Sequence, residues 1–307
     1  MSQTSAALLR RTTLDFVLIG AQKCATSWMY YCLREHPELI LPNKKLEAGY
    51  IGGPMFVEKG EDWFFARFQG DISKIRGDVS VEYLYDTAST AALTPYLASS
   101  PKFIVSLRDP VDRMVSGYFW LIRRGYLPNV AIDTGLAPLL EEPDGFPRPI
   151  DGLLEEVVRR SCYGPQLDAF ASAFGADTLH VVFYEDVERN GLGTMQQIYG
   201  FLGVDTGFVP SSLNSAPKRN AYNKLLLEIE NRFPKNKVVA KLSNIANQAL
   251  SSGSKDGRQD VLSPELRAAF NEKFAPAIAE TKAALWRIPQ AQRPESDLLD
   301  KMWARVR

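Results

Sequence analysis

Leu14-Asp-Phe-Val-Leu-Ile-Gly20-Ala-Gln-Lys-Cys-Ala-Thr-Ser27 is the stretch on which the reading of this chain turns. From Leu14 to Ile19 it is a short apolar run whose length and β-branching predict a buried strand ending at Gly20. A polar turn, Ala21 to Cys24, follows. A helix is then expected from Ala25 to about Glu35, stopped by His36-Pro37. A strand, a short polar loop and a helix N-terminus in that order form a standard anion-binding arrangement of α/β folds.

The pattern repeats outward from there. Lys102-Phe-Ile-Val-Ser-Leu107 reads as a second buried strand, followed by Arg108-Asp-Pro110 and a helix to about Arg124, with Pro110 suited to the first turn. Thr178-Leu-His-Val-Val-Phe183 reads as a third strand, ending at Tyr184-Glu-Asp186. Helical stretches are expected over 87–99, 151–160, 165–174 and 193–202, with a C-terminal helical segment beyond a polar loop at Ser251–Gly257. Segment 42–76 reads as irregular and aromatic. Residues 126–150 carry five prolines and two glycines and read as a long loop of the kind that often acts as a lid. Strands alternating with helices predict an α/β fold with a central parallel sheet flanked by helices. The expected organisation is a flexible N-terminus at 1–13, then one domain over 14–307 with long loop insertions.

Composition bounds the function. Thirty-six Lys and Arg balance thirty-six Asp and Glu across 307 residues, so no global field favours nucleic acid or an anionic membrane. An anion site must then be local. No stretch reaches the roughly 18 apolar residues of a spanning helix, and Met1–Thr13 resembles no secretory signal. Cys24, Cys32 and Cys162 are too few and scattered for a disulfide framework or a zinc site, which fits reduced thiols in a cytoplasmic protein. No metal-ligand cluster is visible, and oligomeric state is not legible.

Gly20-Ala-Gln-Lys-Cys-Ala-Thr-Ser27 invites comparison with the Gly-x-x-x-x-Gly-Lys-[Ser/Thr] loop of nucleotide-binding proteins. Here Ala25 and Thr26 stand sixth and seventh, and the lysine has moved to position 23 inside the loop. A kinase or ATPase would lack its central cation, whereas a ligand with two acidic groups on its 5′ chain suits the pattern. The run Gln22-Lys-Cys-Ala-Thr-Ser27 resembles the 5′-phosphosulfate loop, Lys-x-Gly-Thr-[Ser/Thr], of sulfotransferases that use 3′-phosphoadenosine-5′-phosphosulfate (PAPS). Ala25 replaces the usual glycine: cheap in a helical conformation, strained at φ > 0.

A second match follows the second strand. Arg108-Asp-Pro-Val-Asp-Arg-Met-Val-Ser116 is similar to the family's 3′-phosphate segment, in which an arginine and a serine eight residues later grip the cofactor. Gly77-Asp-Val-Ser-Val-Glu-Tyr-Leu-Tyr85 is similar to the family's Gly-Glu-x-Ser-Pro-x-Tyr-Leu-Tyr, and Phe183-Tyr-Glu-Asp-Val187 with Phe201-Leu-Gly-Val204 to another pair of its motifs. Together these cover roughly residues 14–204. The resemblance implies a P-loop-like fold, PAPS as co-substrate, its 3′,5′-bisphosphate (PAP) as product, and no metal.

For the acceptor's proton, two histidines are available, and both read as structural: His36 at a helix end, His180 mid-strand. Leu41-Pro-Asn-Lys-Lys45-Leu-Glu47-Ala-Gly-Tyr-Ile51 resembles the Lys-Glu-Pro-His-Phe-Phe element of carbohydrate-type and many bacterial sulfotransferases, whose glutamate is the base. The resemblance thus implies Glu47 as base and Lys23 as the cation on the bridging oxygen and leaving phosphate. It places Gln22, Lys23, Cys24, Ala25, Thr26, Ser27 and Trp28 around the 5′ end, and Arg108 and Ser116 on the 3′-phosphate. Tyr163 and Tyr184 are expected near the adenosine, and Lys218 and Arg219 on a basic loop closing over the 3′-phosphate. Trp63, Phe64 and Tyr83 are candidates for the acceptor cleft or for core. The expected acceptor is a hydroxyl or amine on a small molecule, lipid or carbohydrate, a natural-product intermediate among them. A P-loop nucleotide kinase or NTPase and a non-catalytic PAP-binding module are the alternatives.

Overall fold

A computed structural model describes residues 12–45, 48–124, 126–127, 130–141, 153–214, 242, 261–294, 299 and 303. Of the features expected from sequence, most of the N-terminus 1–13, Glu47, Lys218, Arg219 and the loop 251–257 lie outside the described residues. The chain divides into two compact units. One holds residues 1–109, 162–217 and 276–304, the other 110–161, 218–275 and 305–307.

The first unit is built on a five-stranded sheet in the order β2-β3-β1-β4-β5. The strands are β1 (Leu14–Gly20), β2 (Leu39–Ile40), β3 (Ile75–Val79), β4 (Leu97–Leu107) and β5 (Leu179–Phe183). Every pairing is parallel, with Val17 opposite Asp78 on one side and Phe103 on the other, and Ile104 opposite His180. A sheet paired this way hides both faces, and its strands become apolar runs rather than alternating ones. Accordingly Phe16, Val17, Leu18 and Ile19 have no exposed surface.

Alternate side chains feed two cores. Val17, Ile19, Phe103, Val105, Val181 and Phe183 face one cluster, completed by Leu167 and Phe170 of α8 (Tyr163–Phe174) and by Leu285. Phe16, Leu18, Ile104 and Val182 face the other. There they meet Met29, Cys32 and Leu33 of α1 (Thr26–Glu35), and Met195, Ile198 and Leu202 of α9 (Tyr184–Leu202). Gly77 is required where β3 crosses Phe16, because a Cβ there would stand 2.1 Å from the Phe16 ring.

Both histidines are structural. The ring of His36 packs on Tyr199 and Phe208 and hydrogen-bonds with the Asp205 carbonyl through Nε2 at 3.0 Å. His180 is buried in β5, stacked on Phe201, and neither ring nitrogen has a partner among the described residues.

Several elements differ from the sequence reading. Within 42–76 lies a helix, α2 (Pro54–Phe65), opened by Pro54 and interrupted at Gly60, whose φ of 78° breaks the periodicity that would have signalled it. The stretch expected to be helical to Ser99 ends sooner. A single turn, α3 (Glu82–Tyr85), leads into α4 (Thr87–Leu93) and a 3₁₀ turn at Thr94–Tyr96, and β4 then starts at Leu97 rather than 102. Helix α9 begins at Tyr184, well before 193, with a non-helical break at Asn190 that splits its pattern.

The second unit contains α5 (Pro110–Arg123), α6 (Ile132–Leu136) and α7 (Leu153–Arg159). The 126–150 segment is therefore not wholly loop: α6 and a 3₁₀ turn at Ala137–Leu140 lie within it, with Pro138 opening the turn and Gly135 where a Cβ would stand 1.9 Å from the Tyr118 hydroxyl oxygen. Arg113 is completely buried, its Nε donating to Ser161 Oγ at 2.7 Å. Arg267, on the N-terminal part of α10 (Pro264–Arg287), pairs with Asp112 at 2.5 Å.

Candidate active site

The loop between β1 and α1 is shaped by close approach. Gly20 passes Leu84 so tightly that a Cβ would lie 2.9 Å from Leu84 Cβ, and the Ala21 amide donates to the Ser106 carbonyl at 2.8 Å, tying the loop to β4. Lys23 and Ala25 both take positive φ, 72° and 61°. Ala25 is left-handed at the N-cap of α1 and offers no side-chain cap. It therefore carries the strained conformation, for which the usual glycine has no penalty. The first turn of α1 presents backbone N–H groups that no cap residue satisfies, the arrangement that favours an anion. Cys24 and Thr26 are buried, Gln22 and Lys23 half-buried and Ser27 exposed.

Arg108 leaves the end of β4 toward this loop. Its Nη1 donates to the Lys23 carbonyl at 3.5 Å, and its guanidinium lies 4.2 Å from the Tyr184 ring centroid. Tyr163 fixes the backbone beneath it, its hydroxyl donating to the Arg108 carbonyl at 2.9 Å. The next amide, that of Asp109, donates to Glu185 Oε1 at 2.9 Å, and Tyr184 donates to Glu188 Oε1 at 2.8 Å. Trp28 is buried behind the loop against Gly191, its indole N–H without a partner among the described residues.

Lys23, Arg108 and Tyr184, each quoted from a separate motif, thus meet with Tyr163 within one unit. Ser116 lies half-buried on α5 in the other unit.

A second group, formed by Asp78 and Tyr83 of the Gly77–Tyr85 motif with Arg67, lies beside the loop. The Asp78 carboxylate is buried and accepts from the Tyr83 hydroxyl at 3.0 Å, and that oxygen accepts from the Ile51 amide at 2.8 Å. Burial pushes the Asp78 carboxyl above the usual carboxylate range, against the pull of the Arg67 guanidinium. Arg67 donates to the Gly49 carbonyl at 2.8 Å and packs over Trp63 and Phe64. Phe64 and Tyr83 are core residues with no exposed surface. Among the described residues, no three His, Cys, Asp or Glu side chains gather as metal ligands would. Nor is any described helix long and apolar enough to cross a membrane.

The family model for the sulfotransferase domain matches residues 14–282, from the first strand into the last described helix. The chain belongs to the PAPS-dependent sulfotransferase family. Relatives in this family include sulfotransferase 2A6 of Rattus norvegicus, 27% identical over 238 residues that cover 72% of each protein. Membrane-associated sulfotransferase kil1 of Dictyostelium discoideum is 29% identical over 113 residues, 36% of this chain and 23% of that protein, so the match spans under a quarter of that relative. Among solved structures, a sulfotransferase from Alicyclobacillus acidocaldarius superposes with a TM-score of 0.62 at 23% identity, covering 91% of this chain and 98% of that one. It shares the fold, a parallel sheet flanked by helices.

Proposed function

We propose that this sulfotransferase-family chain moves a sulfuryl group from PAPS to a hydroxyl or amine of a small-molecule, lipid or carbohydrate acceptor. The observation that carries the reading is the contact between Arg108 and Lys23. It joins the cation assigned to the 3′-phosphate with the loop assigned to the 5′ end. The donor set suits such a ligand: a capless helix N-terminus, an inserted lysine and a stacked arginine, in a chain whose formal net charge is zero.

When bound, PAPS supplies an activated sulfuryl group, whose bond to the 5′-phosphate oxygen breaks as the acceptor atom bonds to sulfur. The chain's part is placement and charge. Backbone amides from Cys24 to Ser27, with the hydroxyls of Thr26 and Ser27, hold the phosphosulfate oxygens. Lys23 offsets the negative charge growing on the leaving oxygen. Gln22, Ala25 and Trp28 shape the 5′ end of the site, and Tyr163 and Tyr184 support the adenosine side. Arg108 grips the 3′-phosphate, with Ser116, Lys218 and Arg219 assigned there from sequence, and so selects PAPS over ATP. Glu47 takes the acceptor's proton. No residue in this scheme requires a metal. Residues 14–307 act as the catalytic part, in a cytoplasmic setting.

The test is turnover of PAPS to PAP against an acceptor library, comparing wild type with Glu47→Gln and Lys23→Ala. Acceptor-dependent turnover that both variants reduce at least about a hundredfold supports the scheme. Full activity in Glu47→Gln removes that residue as base. PAP binding without turnover on any acceptor favours a non-catalytic binding module.

A further inference from the structure

Trp303 is the largest side chain buried without exposed surface among the described residues, and it lies beyond the stretch that the family model matches. One helical turn earlier stands Leu299, equally buried, whose carbonyl accepts from the Trp303 amide at 3.0 Å. Residues four apart on such a turn share a face, so both side chains enter one core, that of Tyr163, Phe183 and Leu285. The indole meets two rings there. Its centroid is 6.0 Å from that of Tyr163 and 5.1 Å from that of Phe183, at interplanar angles of 54° and 55°. Tilted rings at these separations are in favourable contact.

Both rings lead to Arg108. The Tyr163 hydroxyl donates to the Arg108 carbonyl at 2.9 Å and so fixes the backbone from which the guanidinium leaves β4. Phe183 stands opposite Leu107, the residue before Arg108, in the pairing of β4 with β5. Next after Phe183 is Tyr184, whose ring centroid lies 4.2 Å from the guanidinium. Arg108 thus has one support on its backbone and one on its side chain. Trp303 packs on the residue that provides the first and on the chain neighbour of the residue that provides the second. Tyr163 is confined from another side as well: Gly164 passes so close to α10 that a Cβ would stand 2.7 Å from the Glu280 backbone carbon. A packed interior transmits a change of volume rather than absorbing it, so a change at Trp303 is felt at Tyr163 and Phe183. All of these residues lie in one unit.

We propose that Trp303 is a positioning residue of the cofactor site: through Tyr163 and Phe183 it sets where the Arg108 guanidinium meets the 3′-phosphate. This rests on the PAPS reading above, which gives Arg108 that phosphate, and adds to it a residue outside every motif. The indole acts through the two rings and not by contact with the ligand. Its effect falls on the 3′-phosphate, because a charged fork loses strength when its distance and angle change. The 5′ end is held separately, by the loop after β1. A core residue without this role would, when trimmed, lower stability without changing which ligand is preferred.

The readout is therefore the preference for PAP over AMP, which lacks the 3′-phosphate. Both ligands are titrated calorimetrically into wild type, Trp303→Leu, Trp303→Phe and, as a control, Leu202→Ala, which opens the other core cluster. Thermal unfolding of each ligand-free protein fixes a temperature at which all are folded. Trp303→Leu is expected to weaken PAP about ten- to thirtyfold and AMP by less than about threefold. Trp303→Phe, which keeps a ring, should weaken PAP about threefold, and Leu202→Ala should keep the wild-type preference. Equal loss of PAP and AMP in the Trp303 variants would overturn the proposal, as would an equal fall in preference in Leu202→Ala. If Trp303→Leu does not fold, Trp303→Phe decides alone, and an unchanged preference there overturns it. Where wild type prefers PAP and the Trp303 variants keep that preference, the cofactor reading stands and this one alone falls. A wild type indifferent to the 3′-phosphate would remove both.

Discussion

The Arg108 guanidinium stands 4.2 Å from the centre of the Tyr184 ring while one of its nitrogens touches the carbonyl of Lys23 at 3.5 Å. A planar guanidinium gains from such a face, and an ammonium does not reproduce both contacts. Arg108→Lys should therefore bind PAP nearly as poorly as Arg108→Ala although it keeps the charge. Tyr184→Leu should weaken PAP roughly three- to thirtyfold. Calorimetric titration of the three variants checks this, and a lysine variant equal to wild type would refute the stacked arrangement.

Ala25 supplies a stability test. It holds φ 61° and ψ 13°, where an L-residue with a Cβ is disfavoured by about 1–2 kcal/mol. Glycine removes that cost but brings more unfolded-state freedom, of roughly half the size. Ala25→Gly is expected to raise ligand-free stability by up to about 1 kcal/mol, and Ala25→Val to lower it by more. Urea unfolding decides between this and an indifferent position.

Tyr83 joins Asp78 to the strap through Ile51. Tyr83→Phe keeps the ring and removes the oxygen, leaving a buried carboxylate and a buried amide without that partner. A loss of about 1–3 kcal/mol follows. Asp78→Asn, which keeps an acceptor oxygen, should cost less. Denaturant midpoints measured side by side test the order.

His180 gives the chain an acid-sensitive element. Burial holds its pKa at about 4, below the ordinary 6.5. The unfolded chain thus binds the proton first as pH falls, so the contribution is complete above pH 6.5 and is lost progressively toward pH 4. The full span is on the order of 3 kcal/mol. Between pH 7.5 and pH 5, wild type should lose stability relative to His180→Leu in unfolding curves measured side by side. Parallel pH dependence would rule this out.

The parts of the fold legible in sequence were those whose burial is written in consecutive apolar residues. Strands β1, β4 and β5 are such runs, and the loop after β1 and the arginine after β4 could be placed from them. Strand β3, Ile75-Arg-Gly-Asp-Val79, carries no apolar run: Gly77 makes room for Phe16 and Asp78 is paid for by Tyr83 and Arg67, which only the folded chain brings near. Strand β2 is two residues long, too short for any pattern. At the site, Lys23, Arg108 and Tyr184 could be singled out because each sits in a motif. The position of Lys45 could not be read, because nothing in a lysine two residues before Glu47 tells that it reaches back to Thr26 and Ser27. The doubt over Ala25 could be raised from sequence but not resolved, since the sign of its φ is a property of the loop.

The central claim is that this loop and this arginine were made for a 3′-phosphorylated adenine nucleotide. Calorimetric titration with PAP in the absence of magnesium, beside Arg108→Ala and a magnesium–ATP control, tests it most directly. The account requires low-micromolar or tighter PAP binding, on the order of 8 kcal/mol, weakened about ten- to hundredfold in Arg108→Ala, with ATP bound far more weakly. Tighter binding of magnesium–ATP than of PAP, or PAP affinity untouched by loss of Arg108, would contradict it.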